Sequence, residues 1–170
     1  MSAVLVEDGP DKGAVWHFGE PTKEQRALEA GTAWADLSHL NIVAVSGADR
    51  LQWLHDLTTQ FVSDLQPGVW MPSLILDAQG HVEFQFNLVD DGTTTFLVLD
   101  PGYVEKLVEY LTKMKFMLRV DVSDASSQYA VLRAPGMPTE IGGPFALVPR
   151  DEVEEMKKTF GGVATQVGTW

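Results

Sequence analysis

The chain has 170 residues, 45% of them hydrophobic, with 12 Lys and Arg against 24 Asp and Glu, a net charge of −12 and no cysteine. That apolar fraction supports one sizeable core or two small ones, while the acidic balance repels nucleic-acid phosphates and the lack of thiols excludes disulfides, thiolate metal sites, cysteine-ligated clusters and a thiol nucleophile in this sequence. The apolar runs at 73–76 and 96–99 are too short to span a membrane, and MSAVLVEDGPDKG lacks the basic flank and apolar stretch of a leader, so the expected setting is cytoplasmic, without membrane or nucleic-acid partners.

After a polar start, Pro21 and Thr22 lead into KEQRALEA, where Thr22 and Gln25 have capping-box spacing and Gly31 closes the helix. Asp36 to His39 reads as a turn, and Asn41 to Ser46 as a strand broken by Gly47. In ADRLQWLHDLTT, Leu51, Leu54 and Leu57 share a helix face, with Asp49 or Ser46 as cap. Pro67 and Gly68 precede VWMPSLILD, a strand that ends in the turn Asp77 to Gly80. The returning VEFQFNL alternates Val82, Phe84, Phe86 and Leu88 with Glu83, Gln85 and Asn87, which predicts one core face and one wet face. Asp90, Asp91 and Gly92 then turn the chain into TTTFLVLD, the third strand of an antiparallel meander.

Pro101 opens a helix whose Tyr103, Leu107, Tyr110, Leu111 and Met114 face the sheet. Leu118 to Val122 and YAVLRA read as strands, the second stopped by Pro135, Gly136 and Pro138. FALVP is short and strand-like, and DEVEEMKKTF is a helix with an Asp cap, an acidic first turn and a lysine-rich end. Runs of strands broken by isolated helices indicate an α+β fold of antiparallel sheets with packed helices.

None of His17, His39, His55 and His81 has metal-motif spacing, and Asp36, Ser38 and His39 are too close in sequence to form a catalytic triad. No metal site and no catalytic residue is assigned. The best chemical candidate is the row Glu83, Gln85, Asn87, whose side chains lie about 6.5 to 7 Å apart on one strand face. Such a row can read the edge of a heterocycle; the same pattern also describes the solvated face of an ordinary sheet. Trp53, Trp70, Met71, Phe116 and Met117 read first as core, and Lys106, Lys113, Lys115 and Arg119 as a helix edge that could also receive a carboxylate-rich tail.

Taken together, DLSHLNIVAVSGADRLQWLHDLTTQFVSDLQPG, LILDAQGHVEFQFNLVDDGTTTFLVLD, LTKMKFMLRVDVSD and YAVLRAPG resemble the N-terminal part of the folate-binding YgfZ family and its relative, the aminomethyltransferase (T-protein) of glycine cleavage. The likeness runs from Ala27 to Gly136 and continues more weakly from Phe145 to Trp170. It implies a tetrahydrofolate-binding region over 1–170, with subdomains of about 1–65 with 120–170 and about 66–119, and the hairpin at Gly80 lining a cavity. The family's later K-G-C-Y-x-G-Q-E signature is not in this sequence, so the chain is expected to correspond to an N-terminal part.

The resemblance also marks departures. The two adjacent aspartates of the aminomethyltransferases are Phe84 and Gln85, the tyrosine before the hairpin is Pro72, and the asparagine closing the third strand is Asp100. Gln85 hydrogen-bonds but cannot act as a base or carry charge. The implied site is therefore a folate pocket of Gln85, Asp100, Glu83 and Asn87, with Trp70 or Met71 as apolar contacts and Lys115 and Arg119 steering the glutamate tail. The implied role is folate-dependent maintenance of iron-sulfur enzymes, with iron-sulfur proteins as candidate partners. A folate-dependent aminomethyltransferase using Glu83 and a scaffold that binds no folate are the alternatives.

Overall fold

The computed structural model describes residues 2–136 and 145–169. In chain order the elements are β1 (Val4–Leu5), β2 (Val15–His17), α1 (Pro21–Glu29), β3 (Ala33–Asp36), β4 (Asn41–Ser46), α2 (Arg50–Leu57), β5 (Met71–Leu76), β6 (Val82–Asp90) and β7 (Thr94–Leu99). They continue with α3 (Val104–Met114), β8 (Asp121–Asp124), β9 (Tyr129–Arg133), β10 (Phe145–Pro149), α4 (Val153–Gly161) and β11 (Thr165–Val167). This is an α+β fold of antiparallel sheets with packed helices, and its one parallel strand pair among the described residues is β3 with β11. Pro138, read above as a strand stop, lies outside the described residues.

The chain divides into two units, Met1–Leu40 with Ser127–Trp170 and Asn41–Ser126. The sequence places 41–65 and 120–126 with the first unit; the structure puts both in the second. Hydrogen bonding decides this, because β4 is the strand between β7 and β8 and cannot leave their sheet. In the second unit the sheet order is β5-β6-β7-β4-β8. One face carries Val43, Val45, Ile75, Phe86, Leu88 and Leu97, which pack with Trp53 and Leu54 of α2 and Leu107 and Leu111 of α3. Each of these buried aliphatic side chains contributes about 1.5 to 3 kcal/mol relative to exposure.

In the first unit β10-β9-β3-β11 form a sheet. Leu28 of α1 packs with Ala33, Ala35 and Val167, and Val153 of α4 with Ala130, Leu132 and Val148. The capping box at Thr22 does not form, since Pro21 takes the first helical position and Thr22 lies inside α1. Glu24 instead ties the segment before the helix to the end of the chain: its Oε1 accepts the N–H groups of Phe18 (2.8 Å) and Glu20 (3.2 Å), and its Oε2 accepts that of Gly168 (3.1 Å). Asp49 likewise precedes α2 without a side-chain cap. It holds Arg119 instead, accepting from the backbone N–H at 2.8 Å and from the guanidinium at 3.0 and 2.6 Å.

The same crossing explains Gly47. Its φ is +110°, and a Cβ there would stand 2.0 Å from the Arg119 carbonyl oxygen, so the SGAD segment needs glycine for close approach of two backbones. Beyond α3, Phe116 and Met117 are 84% and 98% exposed, not core as the sequence suggested. The helix ends at Met114, and Phe116, at φ 44°, turns the chain outward before β8. Among the described residues no helix is long and apolar enough to cross a membrane.

Candidate functional site

Strand β6 is longer than its partnership with β7. The β6–β7 ladder runs from Asp90–Thr95 to Asn87–Val98, whereas β5 stays paired with β6 as far as Val82. The register also shifts between Ile75 and Leu76, which face Phe84 and Val82, so an extra β6 residue bulges at Glu83. The bulge breaks the strict alternation read from VEFQFNL. Val82, expected in the core, begins the strand beyond the bulge and is 55% exposed.

The space beside the unpaired start of β6 is a cavity of about 230 Å³, walled by Val82, Glu83, Phe84 and Gln85 on one side and by Leu99, Asp100 and Tyr103 on the other. Continuing the β6–β7 register from the Asn87–Val98 pair by two residues on each strand sets Gln85 across from Asp100. Beyond Asp100 the chain enters α3, and the Gly102 N–H donates to Asn41 Oδ1 at 3.2 Å, tying this corner to β4. Three residues proposed from sequence thus meet in one place.

The cavity combines two carboxyl groups with an amide, a phenol and apolar walls. Ionised carboxylates only accept hydrogen bonds, while Gln85 and Tyr103 both donate and accept. The Phe84 ring lies 5.6 Å from that of Tyr110, whose phenol is pushed up by burial and by the negative charge of Glu83. Lys106 Nζ stands 5.9 Å from the Tyr103 ring centroid. The volume is below the roughly 300 to 1,000 Å³ of pockets that enclose drug-sized ligands. A single ring system fits it; a longer ligand would extend outside.

The other expected site residues lie elsewhere. Asn87 pairs with Pro72 and Val98, half-buried, and does not line the cavity. Its sheet face is not wet throughout, because Ile42, Val89, Phe96 and Val98 on that face are buried. Met71 pairs with Leu88 and packs against the core, Trp70 precedes β5, and neither reaches the cavity. Arg119 is held by Asp49, and Lys115 lies 3.9 Å from Asp121. Both sit at the Ser46 end of β4, about 17 Å along the strand from the Asn41 end beside the cavity, which removes them as tail-steering groups.

The histidines form no catalytic arrangement with Ser38. The Ser38 hydroxyl donates to Asp36, Lys157 Nζ is 2.6 Å from the other Asp36 oxygen, and His39 Nε2 meets Asp11 at 2.9 Å. Burial would raise the Asp36 carboxyl, but the bonds from Lys157 and Ser38 hold it below the usual range. Among the described residues no group of three or more His, Asp or Glu is arranged to hold a metal ion. Tyr103 is the polar cavity residue that the sequence does not mark as part of the site. Its helical spacing from Leu107 assigned it to the core, although Pro101 and Gly102 before it mark the looser start of α3.

The profile of the GCVT N-terminal domain matches residues 12–139. The chain belongs to the GCVT N-terminal domain family. Within this family setting, an aminomethyltransferase of Bacillus velezensis is 27% identical over 97 residues, which cover 56% of this chain and 26% of that protein. A chloroplastic protein of Arabidopsis thaliana, provisionally named a transferase, is 23% identical over 139 residues, covering 80% of this chain and 32% of its own length. The chain therefore spans about a third or less of these curated relatives. The fold is also that of glycine cleavage system aminomethyltransferase T from Bartonella henselae, with a TM-score of 0.76 at 15% identity over 98% of this chain and 56% of that one.

Proposed function

We propose that this GCVT-family chain binds tetrahydrofolate through the cavity at Gln85 and Asp100, and that it acts as a YgfZ-type protein in maintaining iron-sulfur enzymes. The observation that carries the binding proposal is the convergence of Gln85, Glu83 and Asp100 on one ring-sized cavity with apolar walls. This acceptor-rich set suits the ring end of a reduced folate, whose amino and N–H groups need acceptors and whose ring face needs apolar contact. Asp100 and Glu83 would accept from ring N–H groups, and Gln85 would hold a mixed donor–acceptor edge. Bound tetrahydrofolate would supply a one-carbon acceptor.

With Phe84 and Gln85 in place of two aspartates, the strand itself offers neither base nor charge at those positions, which favours a binding role. Iron-sulfur clients enter by the YgfZ resemblance, and any cysteine ligands to a cluster would have to lie outside this sequence, which has no Cys. The cytoplasm is part of the proposal, and the chloroplast of one relative is its alternative; fluorescence localisation of the tagged natural protein separates them. The aminomethyltransferase reading draws on Glu83, a carboxylate at the cavity whose charge reaches Tyr110. It requires folate-dependent product that Glu83→Gln abolishes.

The test is calorimetric titration of 5-formyltetrahydrofolate, a stable reduced folate, into this chain and its Gln85→Ala variant. Saturable binding weakened at least fivefold by the substitution is expected. No heat from a folded chain would refute folate binding here and leave the scaffold role.

A further inference from the structure

We infer that Tyr103 and Lys106 form the outer half of the ligand site, the tyrosine ring covering one face of the bound heterocycle and the lysine receiving an anionic substituent that leaves the cavity. This inference rests on the folate reading above and names the parts of the ligand that each residue contacts. Tyr103 sits in line with Leu107 and Leu111 on α3, yet those two are fully buried while Tyr103 is 47% exposed and walls the cavity. A large ring left half open beside polar groups is a stacking platform, because its face gains from covering an aromatic partner and its hydroxyl keeps contact with water.

Lys106 is one helical turn further on and is exposed, with its ammonium 5.9 Å from the Tyr103 centroid, inside cation–π range. It brings positive charge to a cavity whose own ionisable acids, Glu83 and Asp100, repel anions. The two halves therefore select different chemistry: an N–H-rich ring inside and a carboxylate outside. A cavity of about 230 Å³ holds the ring alone, so a carboxylate tail has to pass out over its rim.

Three probes separate the parts: 5-formyltetrahydrofolate, tetrahydropterin, which lacks the tail, and 4-aminobenzoylglutamate, which lacks the ring. Each is titrated into the whole chain and into Tyr103→Phe, Tyr103→Ala and Lys106→Gln. Tyr103→Phe should keep ring affinity, and Tyr103→Ala should weaken folate and pterin alike by about tenfold or more, the usual range for loss of an aromatic stack. Lys106→Gln should leave pterin unchanged and weaken folate about fivefold, a difference that vanishes in high salt. If the unsubstituted chain binds folate and Tyr103→Ala binds it equally, the stacking role is overturned and the folate reading stands. Equal loss of pterin and folate in Lys106→Gln overturns the lysine's role. No binding by the unsubstituted chain overturns the folate reading and this inference together.

Discussion

Asp90→Asn tests why β6 and β7 hold the register that sets Gln85 across from Asp100. Asp90 is 1% exposed, and its Oδ2 accepts from Arg50 Nε at 2.8 Å and Thr95 Oγ1 at 2.6 Å. Its Oδ1 accepts from Arg50 Nη2 at 2.8 Å and from the Gly92 N–H at 2.7 Å. An amide would replace one acceptor with a donor facing donors and leave the guanidinium without a counter-charge. Removing one partner of a buried pair costs about 3 to 5 kcal/mol, a large part of the roughly 5 to 15 kcal/mol that stabilises a domain. At about 2 to 4 °C per kcal/mol for a chain of this size, the thermal transition of the whole chain should fall by about 6 to 20 °C.

The same substitution carries a pH signature. Burial would raise the Asp90 carboxyl, but bonds from Arg50, Thr95 and the Gly92 N–H outweigh it and hold it below the ordinary carboxylate range. Protonation is then costlier in the folded state. The carboxylate's contribution is complete above the unfolded value and is lost as pH falls through the lower folded value. Urea unfolding of the unsubstituted chain, Asp90→Asn, Arg50→Met and the double variant, from neutral pH to about pH 3, reads both effects. A loss under about 1 kcal/mol at neutral pH, or a difference that does not shrink in acid, would refute the reasoning.

Gly47→Ala should destabilise the second unit by about 2 kcal/mol or more, since it adds positive-φ strain and a Cβ 2.0 Å from the Arg119 oxygen; thermal melting checks it. Glu24→Ala leaves three backbone N–H groups without their acceptor and should cost about 3 kcal/mol in the first unit. Amide exchange at Phe18 and Gly168 should accelerate with it, while Glu24→Gln loses less. Phe116→Gly should raise stability by about 1 kcal/mol, because the residue is exposed at φ 44° and packs against little. A lower melting temperature for Phe116→Gly would show that the side chain has a stabilising contact.

The second unit was largely legible in the sequence because its elements are long and periodic. Asn41–Ser46 occurs as the strand expected, and the 71–99 meander has the expected order and turns. Asp77 Oδ1 accepts the N–H groups of Gln79 and His81, so this hairpin is specified by local chemistry. Short strands were not legible. β1, β2, β3 and β11 span two to four residues each, and their identity depends on partners elsewhere, as in the parallel pairing of Thr165–Val167 with Ala33–Ala35. The tethering role of Glu24 was hidden for the same reason, since one of its donors is 144 residues away.

Within the candidate site, the types and order of residues were determined by the sequence alone. It identifies Gln85 within the second strand of the meander and Asp100 at the end of the third, and, by family resemblance, what stands in place of the aminomethyltransferase aspartates. Periodicity records which face of an element is apolar, and that property is local. Where β7 stops pairing, where β6 bulges, and that Tyr103 stays open while Leu107 is buried depend on contacts between distant segments. Only the tertiary structure decided that Glu83, Gln85, Asp100 and Tyr103 share a cavity while Asn87, Lys115 and Arg119 do not, because a cavity is the space that packed elements leave between them.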